Sequence, residues 1–293
     1  MAFRTDLALE AAEPHLTELD KGVIQSDETV CDLKINRVKI VNEQASKIIG
    51  KPPGDYITIT VPAFYGHHEI SEERICAIAD EIRAMLPKDG LVLVVGLGNN
   101  DITPDAVGPR TVRQVLATRH ISEELAAESG LPGLRAAAAI APGVLGQTGI
   151  ETSEIIRSLV DDINPSAVIV IDALAARSAS RLGNTVQIAT SGISPGSGVM
   201  NSRKELSNET LGVPVVSIGV PTVVDAATLA GDLLHGGEEE DLSSLFEPEG
   251  NAMMITPREI DVLIGHACKT LSLAVNKALQ PDMTLEEIGY LVS

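Results

Sequence analysis

Two aspartates follow buried apolar segments and could form a carboxylate pair. Leu91–Val95 is an unbroken apolar run that ends in glycine, which is typical of a strand buried on both faces, and Asp105 comes after the next turn. Ala167–Ile171 is a second such run, and Asp172 follows it directly. In α/β sheets, ligands bind at the carboxyl ends of the strands. Two carboxyls that meet there cannot both ionise easily, so one can act as general base and the other as general acid.

Each aspartate also has a simpler explanation. Thr103 and Pro104 predict a helix start, with a capping hydroxyl and then proline, so Asp105 is expected in the first helical turn, where the helix dipole favours negative charge. Asp172 could cap the helix after its strand. Asp225 ends a further apolar segment and is a rival for a catalytic role. From the sequence pattern alone, a structural role is more common than a catalytic role for aspartates in such positions.

Other motifs give weaker functional signals. The glycine-rich segments 96–102 and 190–203 could offer backbone amides to an anion or a developing oxyanion, but neither completes a known nucleotide-binding motif. The trio at 67–69, His-His-Glu, is a poor metal site because adjacent histidines rarely point to one ion. The three cysteines, Cys31, Cys76 and Cys268, form no C-x-x-C pair, which indicates free thiols in a reducing compartment. We expect no metal and no cofactor.

The composition excludes several classes of partner. The chain has 293 residues, a net charge of −19, 2% aromatic residues and no tryptophan, so neither phosphate-backbone binding nor base stacking is expected. No apolar stretch approaches the length of a membrane helix, and the N-terminus lacks the features of a signal peptide. We predict a cytoplasmic protein that binds no nucleic acid and no membrane.

Strand and helix patterns alternate along the chain and predict an α/β fold. The strand patterns at 34–41 and 56–61 suit an antiparallel pair at the sheet edge, residues 1–30 suit a loosely held segment, and residues 236–250 form an acidic insertion. Further strands are predicted at 91–95, 134–141, 167–171, 185–189 and 213–219, and helices at 71–86, 104–118, 152–162 and from Thr256. We therefore expect one domain with a mostly parallel twisted sheet flanked by helices.

Several longer motifs make the sequence recognisable. It resembles the germination protease (spore protease) family of endospore-forming bacteria through segments 94–99, 103–109, 141–152, 170–177, 195–199 and 219–226, which occur in family order. The resemblance implies an endopeptidase that initiates degradation of small acid-soluble spore proteins in the spore core during germination. It also implies a homotetramer, and a phosphorylase/hydrolase-like fold similar to that of hydrogenase-maturation endopeptidases. The family's two catalytic aspartates fall on Asp105 and Asp172.

The N-terminus resembles the family's self-processing site. The motif Arg-Thr-Asp-Leu-Ala at 4–8 implies a zymogen that cleaves itself between Asp6 and Leu7. Residues 1–6 would then be a possible prosegment, and residues 7–293 a single α/β peptidase domain. This segment is shorter than the usual prosegment, and the chain is shorter than typical members, mainly after Thr228.

Two alternatives remain open. One is a metal-dependent maturation-type endopeptidase of similar fold, and the other is a non-catalytic module that binds basic peptides through its acidic edge. Within the carboxylate pair, the helix dipole favours ionised Asp105 as the base and Asp172 as the acid.

Overall fold

The core of the molecule is one sheet whose strands are contributed from both halves of the chain. The computed structural model describes residues 5–13, 22–66, 69–128, 130–131, 133–194, 204–235 and 253–292. The strands are β1 Val23–Val30, β2 Leu33–Ile40, β3 Gly54–Thr60, β4 Val92–Gly96, β5 Ala137–Ile140, β6 Ala167–Ala176, β7 Thr185–Ala189, β8 Val215–Asp225 and β9 Met254–Ile255.

Helices connect and cover these strands. They are α1 Ala8–Ala12, α2 Glu43–Ile49, α3 Glu72–Ala84, α4 Val107–Val112, α5 Glu123–Glu128, α6 Leu145–Thr148, α7 Thr152–Ile163, α8 Asn208–Leu211, α9 Ala226–His235, α10 Ile260–Leu279 and α11 Leu285–Val292. No helix within the described ranges is long and apolar enough to cross a membrane.

The nine strands form a mixed sheet. Their order is β1-β2-β3-β7-β8-β6-β4-β5, with β9 paired to the end of β8. The neighbours β8, β6, β4 and β5 are parallel, and the remaining pairs are antiparallel. The predicted α/β fold with a single flanked sheet is confirmed. The prediction of a mostly parallel sheet holds only for the half of the sheet that contains β4 and β6.

Alternating side chains of the sheet build an aliphatic core on each face. In β4, Val92 and Val94 pack into the cluster covered by α3, α4 and α10, whereas Leu93 and Val95 pack on the opposite face against α7. This alternation follows from the two-residue period of a strand. The apolar run of β4 is therefore explained by helices on both faces.

The local sequence sets the ends of two helices. Helix α7 ends at Ile163. The next residue, Asn164, donates its N–H to the Val160 carbonyl and then turns the chain with a left-handed backbone (φ 46°), and Pro165 prevents continuation. Helix α11 begins with a capping box: the Thr284 N–H donates to the Glu287 carboxylate at 2.7 Å, and the Glu287 N–H donates to the Thr284 hydroxyl at 3.2 Å.

The predicted helix from Pro104 to Thr118 is wrong in its extent. Thr103–Asp105 is a single 3₁₀ turn, the Thr103 hydroxyl caps no helix, and α4 ends at Val112. The Asn276 side chain from α10 binds the backbone just beyond that end: its Oδ1 accepts from Leu116 N at 2.9 Å and its Nδ2 donates to Gln114 O at 2.8 Å. These bonds stabilise an irregular backbone where helical bonds would otherwise form.

The prediction of a loosely held N-terminus is also wrong for the described residues. β1 extends the sheet beyond β2 and replaces it as the edge strand, and α1 packs with buried Ala8 and Ala12 against the sheet. The chain between α4 and β5 contains the short helix α5. The acidic insertion at 236–250, the histidines at 67–68 and residues 195–203 lie outside the described residues.

Candidate active site

A cavity of about 700 Å³ lies where β4 ends and where β6 and β8 continue past it. Its polar lining includes Asp6, Lys51, Asp105, Asp172, Gln187 and Glu205. The structure thus brings Asp105 and Asp172 to one cavity, together with Asp6 from the N-terminal segment. Asp225 is absent from the described lining.

A tight backbone crossing positions Asp105. Gly98 has φ +110°, and a Cβ there would lie 2.0 Å from the Asp105 carbonyl oxygen, so only glycine fits. The Asn99 N–H donates to Asp105 Oδ2 at 2.6 Å. Burial raises the pKa of the Asp105 carboxyl, and the Asn99 hydrogen bond lowers it in part.

Asp172 is more deeply buried, with 5% of its surface exposed. Its Oδ1 accepts from the Ala173 N–H at 2.9 Å. Burial, then the negative charge of Asp105, hold the pKa of Asp172 well above the ordinary aspartate range, and Asp6 adds a smaller push in the same direction. The interpretation of Asp172 as the end of its strand is wrong, since β6 continues to Ala176.

Asp172, Gly219 and Gln187 form a row across three strands. Gly219 of β8 pairs with Asp172 of β6 on one side and with Gln187 of β7 on the other. Paired residues on neighbouring strands project to the same face of a sheet. Gly219 has no side chain in this row, and the Leu174 side chain takes the place of a Cβ there, with its Cγ 2.5 Å from that position. Sequence reasoning missed Gln187 because a lone glutamine in a strand carries no motif.

The segment with the predicted processing site lies along the edge of β6 beyond the last residue that pairs with β4. The Asp6 N–H donates to the Ala175 carbonyl at 2.8 Å, and the Ala175 N–H donates to Asp6 Oδ2 at 2.8 Å. Leu7 is fully buried in an apolar cluster formed by Leu174, Ala176, Leu182 and Val224. Asp6 and Leu7 are thus held in an extended pairing beside Asp172, whereas Arg4 lies outside the described residues.

Two charged side chains hold this segment in place. Glu10 accepts from the Arg177 and Ser178 N–H groups at 2.7 and 3.0 Å, which ties α1 to the end of β6. Lys51 Nζ donates to the Thr5 carbonyl at 3.0 Å. Burial lowers the pKa of Lys51, although the negative charges of Asp6 and Glu10 act in the opposite direction.

Asp225 has a structural role. Its Oδ1 accepts from both the N–H and the hydroxyl of Thr228, at 2.9 and 3.0 Å, at the start of α9. This is the geometry of a helix N-cap. Glu205 is a further carboxyl in the cavity, and burial raises its pKa.

Potential metal ligands and the cysteine thiols are further candidates for chemistry in the protein. Among the described residues, no group of three or more His, Cys, Asp or Glu side chains is arranged to hold a metal ion. All three cysteines are free, as predicted. Burial raises the pKa of the Cys268 thiol, which disfavours a reactive thiolate.

Comparisons with known proteins agree along the chain. The sequence profile of the germination protease family matches residues 5–239. A germination protease of Caldanaerobacter subterraneus subsp. tengcongensis is 43% identical over 320 residues, covering 100% of this chain and 98% of the relative. One from Clostridium perfringens is 41% identical over 319 residues, with 98% of each chain covered. One from Bacillus subtilis is 36% identical over 354 residues, with 98% and 96% covered.

Among solved structures, a [NiFe] hydrogenase maturation protease HycI from Thermococcus kodakarensis KOD1 matches with a TM-score of 0.37 and 14% identity. The match covers 67% of this chain and 98% of that chain.

Proposed function

Since this chain belongs to the germination protease family and is therefore a peptidase, we propose that it is an endopeptidase whose carboxylate pair, Asp105 and Asp172, hydrolyses peptide bonds. The observation that carries this proposal is the environment of Asp172. It is buried, its pKa is raised by burial and by the charge of Asp105, and it lies beside a bound segment of polypeptide.

The pair can share one proton. Because two neighbouring buried carboxyls resist double ionisation, one keeps its proton while the other is ionised. The ionised carboxyl takes a proton from water as the water attacks the carbonyl carbon, and the protonated carboxyl donates to the departing amine. The pKa of Asp172 is the more strongly raised, which favours Asp105 as base and Asp172 as acid. Activity should fall when both carboxyls are protonated and again when both are ionised.

The family and the bound segment support a proposal for the substrates and for the processing of the chain. We propose that the protein cleaves small acid-soluble spore proteins in the spore core and is made as a zymogen. Self-cleavage between Asp6 and Leu7 would release residues 1–6 and leave residues 7–293 as the peptidase domain. The pairing of Asp6 with Ala175 and the burial of Leu7 support this, because they hold an extended chain beside Asp172. We also propose a homotetramer.

The test is incubation of the purified protein with a small acid-soluble spore protein, followed by identification of the fragments by mass. Asp105→Asn and Asp172→Asn should each lower the rate at least about 10³-fold, which corresponds to about 4 kcal/mol of barrier. Asp225→Asn is the matched control, because asparagine also caps helices, and it should retain most activity.

A chelator arm separates the alternatives. Full activity in a strong chelator supports the carboxylate pair. Loss of activity that returns with a divalent metal would favour a metal-dependent maturation-type peptidase. Binding of the spore protein without any fragments would indicate a non-catalytic binding module.

A further inference from the structure

Gln187 binds the backbone on both sides of Leu7, including the carbonyl of the peptide bond between Asp6 and Leu7. Its Nε2 donates to the Asp6 carbonyl oxygen at 3.0 Å, and its Oε1 accepts from the Ala8 N–H at 2.7 Å. Since a backbone N–H can only donate and a carbonyl can only accept, these partners fix the orientation of the Gln187 amide. The carbonyl that Gln187 contacts is the one that hydrolysis between Asp6 and Leu7 would attack.

The same side chain shares a row of the sheet and a cavity with Asp172. Gln187 and Asp172 lie on opposite sides of Gly219 in one row of the sheet, and both line the cavity. Gln187 is 8% exposed, so its hydrogen bonds are largely shielded from water. A donor held in a dry site is stronger toward a developing negative charge than the same donor in water.

We propose that Gln187 is a catalytic residue that stabilises the oxyanion formed at the scissile carbonyl. This inference rests on the proposed function. Water adds to the carbonyl carbon of the residue before the scissile bond, a carboxylate of the pair takes its proton, and the carbonyl π electrons move onto oxygen, where the Gln187 Nε2–H donates. When the oxyanion collapses, the C–N bond breaks and the protonated carboxyl gives its proton to the amine. The products are a carboxyl terminus and a free amino terminus.

This role differs from the expectation that backbone amides of 96–102 and 190–203 serve the oxyanion. Four of the amides in the first segment are already used. Asn99 N donates to Asp105, and Leu97 N donates to the Ile171 carbonyl at 2.8 Å. Asp101 N and Ile102 N donate to the Asn99 side chain and carbonyl at 3.0 and 3.2 Å. Residues 195–203 lie outside the described residues. Gln187 is a donor that contacts the carbonyl directly.

The first test is Gln187→Met, which keeps the length of the side chain and removes the donor. We expect kcat for a small acid-soluble spore protein to fall roughly 10²–10³-fold, with KM changed only a few-fold, because the lost bond strengthens in the transition state. Self-cleavage of the full chain, followed by intact mass, should slow by a similar factor. Thr185→Val is the matched control. It removes a buried hydroxyl from the same strand; this hydroxyl donates to the Asn184 side chain, and Thr185 does not line the cavity.

The second test is Gln187→Glu, whose ionised carboxylate accepts from Ala8 but cannot donate to the carbonyl. Protonation restores an O–H donor. The ratio of variant to wild-type kcat should therefore rise as the pH falls. A ratio that stays constant across the pH range would overturn the donor role.

The remaining outcomes separate this inference from the proposed function. If wild type cleaves and the Asp105→Asn and Asp172→Asn variants do not, but Gln187→Met keeps a normal kcat, the oxyanion role is wrong and the carboxylate pair stands. If Gln187→Met slows only self-cleavage, Gln187 merely positions the N-terminus, and the inference also fails. If wild type cleaves neither its own chain nor a spore protein, the proposed function fails.

Discussion

The environment of Asp172 opposes its charge. An aspartate at this depth loses its hydration, and the neighbouring Asp105 adds repulsion rather than a compensating positive charge. The Ala173 N–H stabilises the carboxylate only in part. A fold that keeps an aspartate in such a position gives up stability, and this trade is typical of sites selected for chemistry.

Replacing Asp172 should therefore stabilise the protein at neutral pH. The folded-state pKa lies above the unfolded one, so the folded state binds the proton more tightly, and wild type loses stability as pH rises from the unfolded pKa through the folded one. Each pKa unit corresponds to about 1.4 kcal/mol. Asp172→Asn should be more stable than wild type at neutral pH, with the difference shrinking in acid, as measured by urea unfolding at a series of pH values.

The control for this measurement is Asp80→Asn on the exposed face of α3. Asp80 forms a surface ion pair with Arg83, so its replacement should change stability by less than about 1 kcal/mol. A difference between Asp172→Asn and wild type that does not depend on pH would contradict the raised pKa.

The approach of α4 to the sheet is the contact that positions the candidate site. A Cβ at Gly108 would lie 2.3 Å from the Leu97 carbonyl oxygen and 2.4 Å from that of Ile171. A Cβ at Gly96 would lie 2.2 Å from the Gly108 carbonyl oxygen. These close contacts join the end of β4 and the middle of β6 to α4 and so determine where the intervening Asp105 lies.

Gly108→Ala should destabilise the fold by at least about 2 kcal/mol, because the methyl group meets backbone atoms that cannot move aside. Gly265→Ala is the matched change in α10, where no atom lies within 4 Å of the added Cβ. It should stabilise the protein by about 0.5–1 kcal/mol through helix propensity. Urea unfolding measures the free energy of unfolding of both variants and so checks both expected changes. If Gly108→Ala leaves this free energy unchanged, α4 tolerates displacement.

Local patterns predicted elements well and long-range pairings poorly. The apolar runs located β4 and β6, and Asp105 and Asp172, which follow or interrupt them, line one cavity. The turn chemistry at Thr103 and Pro104 predicted a helix start where the structure has a 3₁₀ turn. The end of α4 depends on Asn276, which is far away in sequence, and local propensity contains no such information.

The N-terminus illustrates the same limit. Its polar sequence predicted a loose segment. In the structure, Leu7 packs into a cluster of apolar residues that lie between positions 174 and 224, and Gln187 binds the backbone on both sides of Leu7. These contacts exist only once the sheet has formed. Gln187 carries no local motif, and its contacts with Asp6 and Ala8 are between residues far apart in sequence, so the sequence did not indicate it.

The whole chain carries a strong negative charge, and this bears on the proposed homotetramer. With a net charge of −19, identical subunits repel one another. At low ionic strength, about 0.01 M, this repulsion extends about 30 Å, whereas at about 0.15 M it extends about 8 Å. Any association of this chain with itself must therefore overcome a repulsion that salt weakens.

We expect the tetramer to form more tightly as salt increases. Sedimentation velocity at fixed protein concentration should show a shift toward four times the 30.8 kDa chain mass between low and physiological ionic strength. Lys39→Glu is a useful variant: Lys39 is exposed on β2 and pairs with Asp55, and its replacement makes the net charge more negative. The salt-dependent shift should then move to higher ionic strength. If the wild type sediments as a monomer at every salt concentration, the proposed tetramer is wrong. If added salt dissociates the tetramer, ion pairs rather than apolar burial hold the subunits together.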